Sequence, residues 1–187
     1  LLVDIGNTRV KWATQVDGRL SPQRAAGYAQ WSAVDWQHEL FDGPPVERVL
    51  AATVAGGDSR QALEAAARKA GTRRVDFVAS TATLAGVRNA YPDPGLLGVD
   101  RWVAVIGAYH LAQAACCVVD VGTAATLDAV DASGQHLGGF IVPGPQLMVR
   151  SLHAGTNNLA AYTAASPVGA TRLFADNTRD AIERGCR

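Results

Sequence analysis

Two short segments have residue types suited to chemistry. Asp4-Ile5-Gly6-Asn7-Thr8 and Asp120-Val121-Gly122-Thr123-Ala124 each end an apolar run in a carboxylate, with glycine and a small polar residue just beyond. Glycine lets backbone N–H groups come close to an anion, and a threonine hydroxyl adds a donor. The carboxylate repels phosphate, so its place in such a turn is to position Mg²⁺, usually through water, against phosphate oxygens. Two turns of this kind facing each other would grip a nucleotide from both sides. One Asp-x-Gly alone is more often an ordinary strand-ending turn; two in matching contexts favour the phosphate reading. Neither the G-x-x-x-x-G-K-[ST] loop nor the G-x-G-x-x-G turn is present.

A third carboxylate, Asp100, follows a stretch rich in Gly, Pro, Asn and Asp (86–98) and opens a predicted helix, with Arg101 beside it. By itself it reads as a helix N-cap, a role compatible with chemistry at a cleft edge, and Arg101 reads as a first-turn surface residue. Lys11, three residues beyond Thr8, either reaches phosphate or is a solvated strand charge. His38, His110, His136 and His153 lack metal-ligand spacing, and Cys116, Cys117 and Cys186 form neither a disulfide framework nor a C-x-x-C pair. Cys116 and Cys117 are expected in a buried strand.

The elements that would position these groups follow from periodicity and turn residues. Strands are predicted at 1–5, 10–16, 48–54, 74–78, 116–121, 126–130 and 137–142. Helices are predicted at 30–41, 58–70 (capped by Asp58 or Ser59), 100–112, 145–153 and 176–187, the last capped by Asp176 or Asn177. The segment 157–171 carries no clear pattern. Each Asp-x-Gly turn is followed, 14 residues after its Asp, by the glycine of a hairpin turn, Gly18 and Gly134. A duplicated β-β-β-α-β-α unit accounts for this match, divided at 1–113 and 114–187. The second copy is expected to be incomplete at its C-terminus.

Composition narrows the classes. Seventeen basic and seventeen acidic residues cancel to a formal charge of +0, against an electrostatic grip on nucleic acid. With 48% hydrophobic and 18% charged residues the chain is no disordered tail. No apolar run approaches the roughly 18 residues that cross a bilayer. A reduced, cytoplasmic protein is expected.

Taken in order, the two Asp-Gly turns, Gly98-Val99-Asp100-Arg101, Gly138-Gly139-Phe140-Ile141-Val142-Pro143-Gly144 and Asn177-Thr178-Arg179-Asp180-Ala181-Ile182 resemble the type III pantothenate kinases. These belong to the acetate and sugar kinase/Hsp70/actin superfamily. The resemblance implies an α/β fold of duplicated ribonuclease H-like units and ATP-dependent phosphorylation of pantothenate, opening coenzyme A synthesis. It implies Asp4 as the Mg²⁺ residue, with Gly6, Asn7 and Thr8, and Gly122 and Thr123, at the phosphates. Asp100 becomes the catalytic carboxylate; Gly98, Arg101 and Tyr91, in Asn89-Ala90-Tyr91, join it at the pantothenate site. Asp120 is assigned to a K⁺ or NH₄⁺ site, and Thr178 to the partner subunit's pantothenate site in a homodimer. The family's Thr-Gly-Gly segment near the adenosine has no match here. A non-catalytic accessory protein of the same fold, and a kinase acting on a sugar or acetate, are the competing readings; the retained Asp4, Asp100, Arg101 and Asp120 weigh against the first, and the Gly-Val-Asp-Arg motif and small size against the second.

Overall fold

In a computed structural model, which describes residues 1–156 and 174–186, the chain forms two units, Leu1–Cys116 with Ala129–Gly138, and Cys117–Asp128 with Gly139–Arg187. The first unit begins with β1 (Leu2–Ile5), β2 (Arg9–Ala13), a small hairpin of β3 (Gln15–Val16) and β4 (Arg19–Leu20), and β5 (Arg24–Gly27). Helix α1 (Ala33–Phe41), β6 (Arg48–Thr53), α2 (Gly57–Lys69) and β7 (Arg74–Phe77) follow. The five-stranded sheet has the order β5-β2-β1-β6-β7. Strands β1, β2 and β5 are antiparallel, while β6 and β7 lie parallel to β1. This is the ribonuclease H-like βββαβα order expected from the sequence.

Alternation along the strands sorts the sheet's two faces. Val3, Ile5, Val10, Trp12, Val49 and Ala51 are buried in one core with Trp36 and Leu40 of α1 and Leu63, Ala66 and Ala67 of α2. Leu2, Asp4, Lys11 and Ala52 therefore point to the other face, and β6 carries contacts from helix α3 (Val99–Ala112).

Two segments the sequence reading passed over form strands or turns through pairing. Arg-Ala-Ala-Gly in β5 has no alternation, yet it pairs with β2 in register Val10↔Ala26. The stretch before α3 holds a hairpin of β8 (Thr83–Leu84) and β9 (Val87–Arg88) around Ala85, at φ 49°, and Gly86. Other boundaries shift. The predicted strand 10–16 breaks at Thr14, whose N–H turns to Ser21 Oγ. Helix α1 starts later than predicted because Ser32 and Asp35 form a reciprocal capping box. Helix α2 is capped by the Gly56 backbone, not by Asp58 or Ser59; Ser59 Oγ donates back to the Gly56 carbonyl.

Further along the chain, a second run of three strands repeats the opening of the first unit. Strands β10 (Cys116–Val121), β11 (Ala124–Val130) and β12 (His136–Pro143) are sheet neighbours in that order, joined by connections too short for a parallel crossover. Helix α4 (Pro145–Gly155) follows, and α5 (Thr178–Gly185) is capped by Asn177, which accepts from Asp180 N–H. The stretch 157–173 and the predicted helix end at Arg187 lie outside the described residues. Gly18 and Gly134, matched by spacing, share left-handed backbones at φ 77° and 78°. The apolar run 116–121 is not buried as expected: Cys117 is exposed, and Val119 and Val121 are each 62% exposed. Its two-sided apolar pattern suits a strand covered on both faces, and coverage is a property of neighbours, not of the run.

The turn joining β11 to β12 is organised by Asp131, whose Oδ1 accepts from the N–H groups of Ser133 and Gln135 and from Ser133 Oγ at 2.8–2.9 Å. The Gln135 amide, then Ser133, hold the Asp131 carboxyl below its ordinary pKa. A depressed pKa contributes stability above the unfolded value and loses it as pH falls through the folded one. Asp131→Ala is therefore expected to speed hydrogen exchange of the Ser133 and Gln135 amides at neutral pH, and this difference from the parent should vanish once acid has protonated Asp131.

Candidate active site

Two groups of sequence-singled residues come together in the first unit. The first surrounds the β1–β2 turn. Because Val3 and Ile5 are locked in the core, Asp4 faces the opposite side, directly across from Lys11 in the antiparallel register. Lys11 Nζ lies 3.7 Å from Asp4 Oδ2, both side chains about two-fifths exposed. They line a cavity of about 390 Å³ whose walls include Leu2, Leu50, Val78 and Val103. An ion pair this exposed contributes at most about 1 kcal/mol, so Lys11 can exchange Asp4 for another anion. Lys11 is thus a partner of the carboxylate, beyond the two roles its position in sequence allowed.

Beyond Asp4, Gly6 N–H is committed to Arg9 O at 2.9 Å, closing the turn. Asn7 and Thr8 are exposed at its tip. The turn is held from below by a residue that sequence reading missed: Tyr28 OH donates to Gly6 O at 2.7 Å. Tyr28 sits just after β5 and packs edge-on against Trp36, which meets Trp31 in the same way. Burial pushes the Tyr28 phenol above its ordinary pKa, so it remains a donor at neutral pH. The sequence reading assigns Tyr28 no role, since it falls just before the predicted helix 30–41 and carries no motif.

The second group surrounds the start of α3. Gly98, not Asp100, is the N-cap; Asp100 stands in the first turn, half-buried, with Oδ1 accepting from Arg101 N–H at 2.8 Å. A Cβ placed on Gly98 would lie 2.6 Å from Asp100 Oδ1, so the glycine is what lets the carboxylate occupy its position. Arg101 is buried, at 7% exposure, contrary to the surface placement expected of a first-turn arginine. Its Nη1 donates to Tyr91 OH at 3.1 Å. Asn89 sets the loop: its Oδ1 accepts from Tyr91 N–H at 2.9 Å and its Nδ2 reaches Thr81 O and Pro94 O. Gly98, Asp100, Arg101 and Tyr91 thus form one cluster.

The second unit holds the remaining candidates. Asp120, Gly122 and Thr123 are exposed at the β10–β11 turn. Gly122 N–H donates to Ala124 O, so this turn is one residue tighter than its counterpart. Gly144 N–H donates to Thr123 O, and a side chain at Gly144 would run into the Gly122 carbonyl. The Pro143-Gly144 segment therefore presses directly on the second turn. Thr178 is exposed at the first position of α5.

Among the described residues no group of three or more His, Cys, Asp or Glu gathers to hold a metal. A single accessible carboxylate such as Asp4, here beside Lys11, suits Mg²⁺, which keeps several waters and completes its shell with substrate phosphates. Among the described residues, no helix is long and apolar enough to cross a membrane.

Two substitutions test this geometry. Gly98→Ala should displace the Asp100 carboxylate and lower turnover by about 10²-fold, as misplacement of a reacting group does, with little change in thermal midpoint. Tyr28→Phe, which removes one hydrogen bond worth about 1 kcal/mol, should weaken nucleotide binding by up to about fivefold in a calorimetric titration.

The profile of the type III pantothenate kinase family matches residues 1–187. A type III pantothenate kinase of Aromatoleum aromaticum is 42% identical over 187 residues, spanning 100% of this chain and 74% of that protein. One of Halorhodospira halophila is 38% identical over 192 aligned residues, spanning 99% and 74%. A solved structure from Campylobacter jejuni, named for the Baf family of transcriptional activators, aligns with a TM-score of 0.53 at 20% identity, over 98% of this chain and 72% of that one, a likeness of fold alone. On the full-length profile match and these identities, the chain belongs to the type III pantothenate kinase family.

Proposed function

We propose that the protein phosphorylates pantothenate to 4′-phosphopantothenate at the expense of ATP, the first step of coenzyme A biosynthesis. The observation that carries this reading is the cluster at the start of α3, where Asp100 stands beside a buried Arg101 already engaged by Tyr91. Phosphoryl transfer through a loose transition state asks for alignment and charge neutralisation more than for strong covalent help. Asp100 orients the acceptor hydroxyl and takes its proton late. The Arg101 fork matches a carboxylate with two charge-assisted hydrogen bonds, and pantothenate carries one at the end remote from its phosphorylated hydroxyl. Gly98 leaves room for Asp100, and Tyr91 lines the acceptor site.

The nucleotide is assigned to the two Asp-Gly turns. Gly6, Asn7 and Thr8, with Lys11, are assigned to phosphate contacts in the first unit, and Gly122 and Thr123 to phosphate contacts in the second. Asp4 would hold Mg²⁺, which when bound neutralises phosphate charge. Asp120 is assigned to K⁺ or NH₄⁺, a cation that screens this carboxylate from nearby phosphate. Thr178 is assigned to the pantothenate site of a partner subunit in a homodimer. We place the enzyme in the cytoplasm, with no nucleic-acid or membrane partner.

A coupled ADP-release assay tests the proposal. Release should depend on pantothenate and fall when K⁺ and NH₄⁺ are both withheld; pantothenate-independent release would overturn it. Asp100→Asn should reduce kcat by about 10²-fold or more, the usual share of a positioned acid–base group, while circular dichroism and thermal midpoint stay at parent values. Full turnover by this variant would remove Asp100 from the mechanism.

A further inference from the structure

His136 is a buried imidazole that the reaction as described does not use. It opens β12 at 0% exposure, in the same unit as the acceptor cluster. Its Nδ1 accepts from Ala90 N–H at 3.4 Å, a long bond to the residue just before Tyr91. Its ring lies nearly parallel to that of Tyr91, 12° between planes and 6.3 Å between centroids. Tyr91 OH accepts from Arg101 Nη1, with the guanidinium carbon 6.0 Å from the ring centre. Imidazole, phenol and guanidinium are therefore linked in series, ring to ring and then hydroxyl to guanidinium, ending at the group assigned to the acceptor's carboxylate.

The neighbouring hairpin tip anchors the same loop by its backbone. Arg88 N–H donates to Gly134 O at 2.8 Å. The Arg88 guanidinium reaches Gln135 Oε1 and Ser133 Oγ, both at 3.0 Å. Arg88 and Gln135 form a parallel bridge. The loop is thus held in depth by Arg88 and in orientation by His136. A tyrosine on a loop has a rotatable side chain, and stacking against a fixed buried ring limits that freedom before substrate arrives.

We infer that His136 is a positioning residue for acceptor recognition: it fixes Tyr91, and through Tyr91 the Arg101 fork, so that the enzyme binds a carboxylate-bearing acceptor in preference to a neutral one. This rests on the pantothenate reading and adds to it a determinant of substrate class. It separates the acceptor's two ends, since His136 acts on the carboxylate end and leaves Asp100 and the hydroxyl alone.

The test compares His136→Leu, which keeps bulk but removes both the flat ring and the acceptor nitrogen, with His136→Phe, which restores the ring. Steady-state kinetics on the whole protein would use pantothenate and pantothenol, the analogue with the same hydroxyl but an alcohol in place of the carboxylate. His136→Leu is expected to raise KM for pantothenate about tenfold, the fold-change of one weakened charge-assisted hydrogen bond. The KM values for ATP and pantothenol, and kcat, should stay within about twofold, and His136→Phe should recover most of the loss. An unchanged pantothenate KM, an equal loss for both acceptors, or a fall in kcat alone would overturn the inference. If His136→Leu fails to fold, Tyr91→Phe, which leaves the imidazole in place and breaks the link to Arg101, must show the same pantothenate-specific rise, and its absence is equally fatal. Calorimetric titration with pantothenate gives the comparison without turnover. Turnover by the parent with an unresponsive variant refutes only the role of His136; absence of pantothenate binding by the parent refutes both readings.

Discussion

The alternation of β1 between core and open face governs everything at the first turn. Val3 and Ile5 are buried with the side chains of α1 and α2, and this burial leaves Asp4 no choice of side. A slip of one residue would turn every side chain of the strand over, placing the carboxylate in the core and two apolar residues in the groove. The cost of burying an unpaired charge against a well-packed apolar face makes that alternative inaccessible. Lys11 opposite Asp4 then follows from antiparallel pairing, and the Gly6–Thr8 tip from the need to reverse direction between β1 and β2. The tryptophan and tyrosine layer below the turn converts core packing into a fixed position for the Gly6 backbone.

The acceptor cluster obeys a different constraint, close approach at a helix start. Gly98 allows the Asp100 carboxylate to lie over the backbone of the turn that precedes it. Burial of Arg101 needs polar company, and Tyr91 supplies part of it. Tyr91 in turn is oriented by Asn89 through the backbone and by His136 through its ring. The result is a charged group held inside the protein by defined partners, an arrangement the proposed function uses for its acceptor. Preorganisation of this kind lowers the ordering cost at binding and sharpens discrimination between acceptors.

The two Asp-Gly turns are alike in plan and unequal in detail. Both end a strand, both precede a second strand in the same sheet, and both are followed at equal distance by a glycine in the left-handed region. The first closes through Gly6 and Arg9, the second through Gly122 and Ala124. In the second, Gly144 packs its backbone against the turn, a support for which the first uses the Tyr28 phenol instead. Duplication preserved the path of the chain while the means of bracing each turn diverged.

Much of this was legible in the order of residues. Strand-ending carboxylates, the spacing to Gly18 and Gly134, the α3 start at Gly-Val-Asp-Arg and the Asn177 cap are local patterns, and local patterns follow from backbone sterics and nearest-neighbour hydrogen bonds. Strand β5, the Tyr28 brace, the burial of Arg101 and the His136–Tyr91 stack were not legible. Ala-rich β5 is a strand because β2 offers it an edge, and His136 meets Tyr91 across 44 residues of intervening chain. By itself, then, the sequence determined which groups lie at element ends and which family they mark. The tertiary structure alone decided which of them touch, because contact between distant residues depends on sheet register and core packing, and no short-range pattern encodes either.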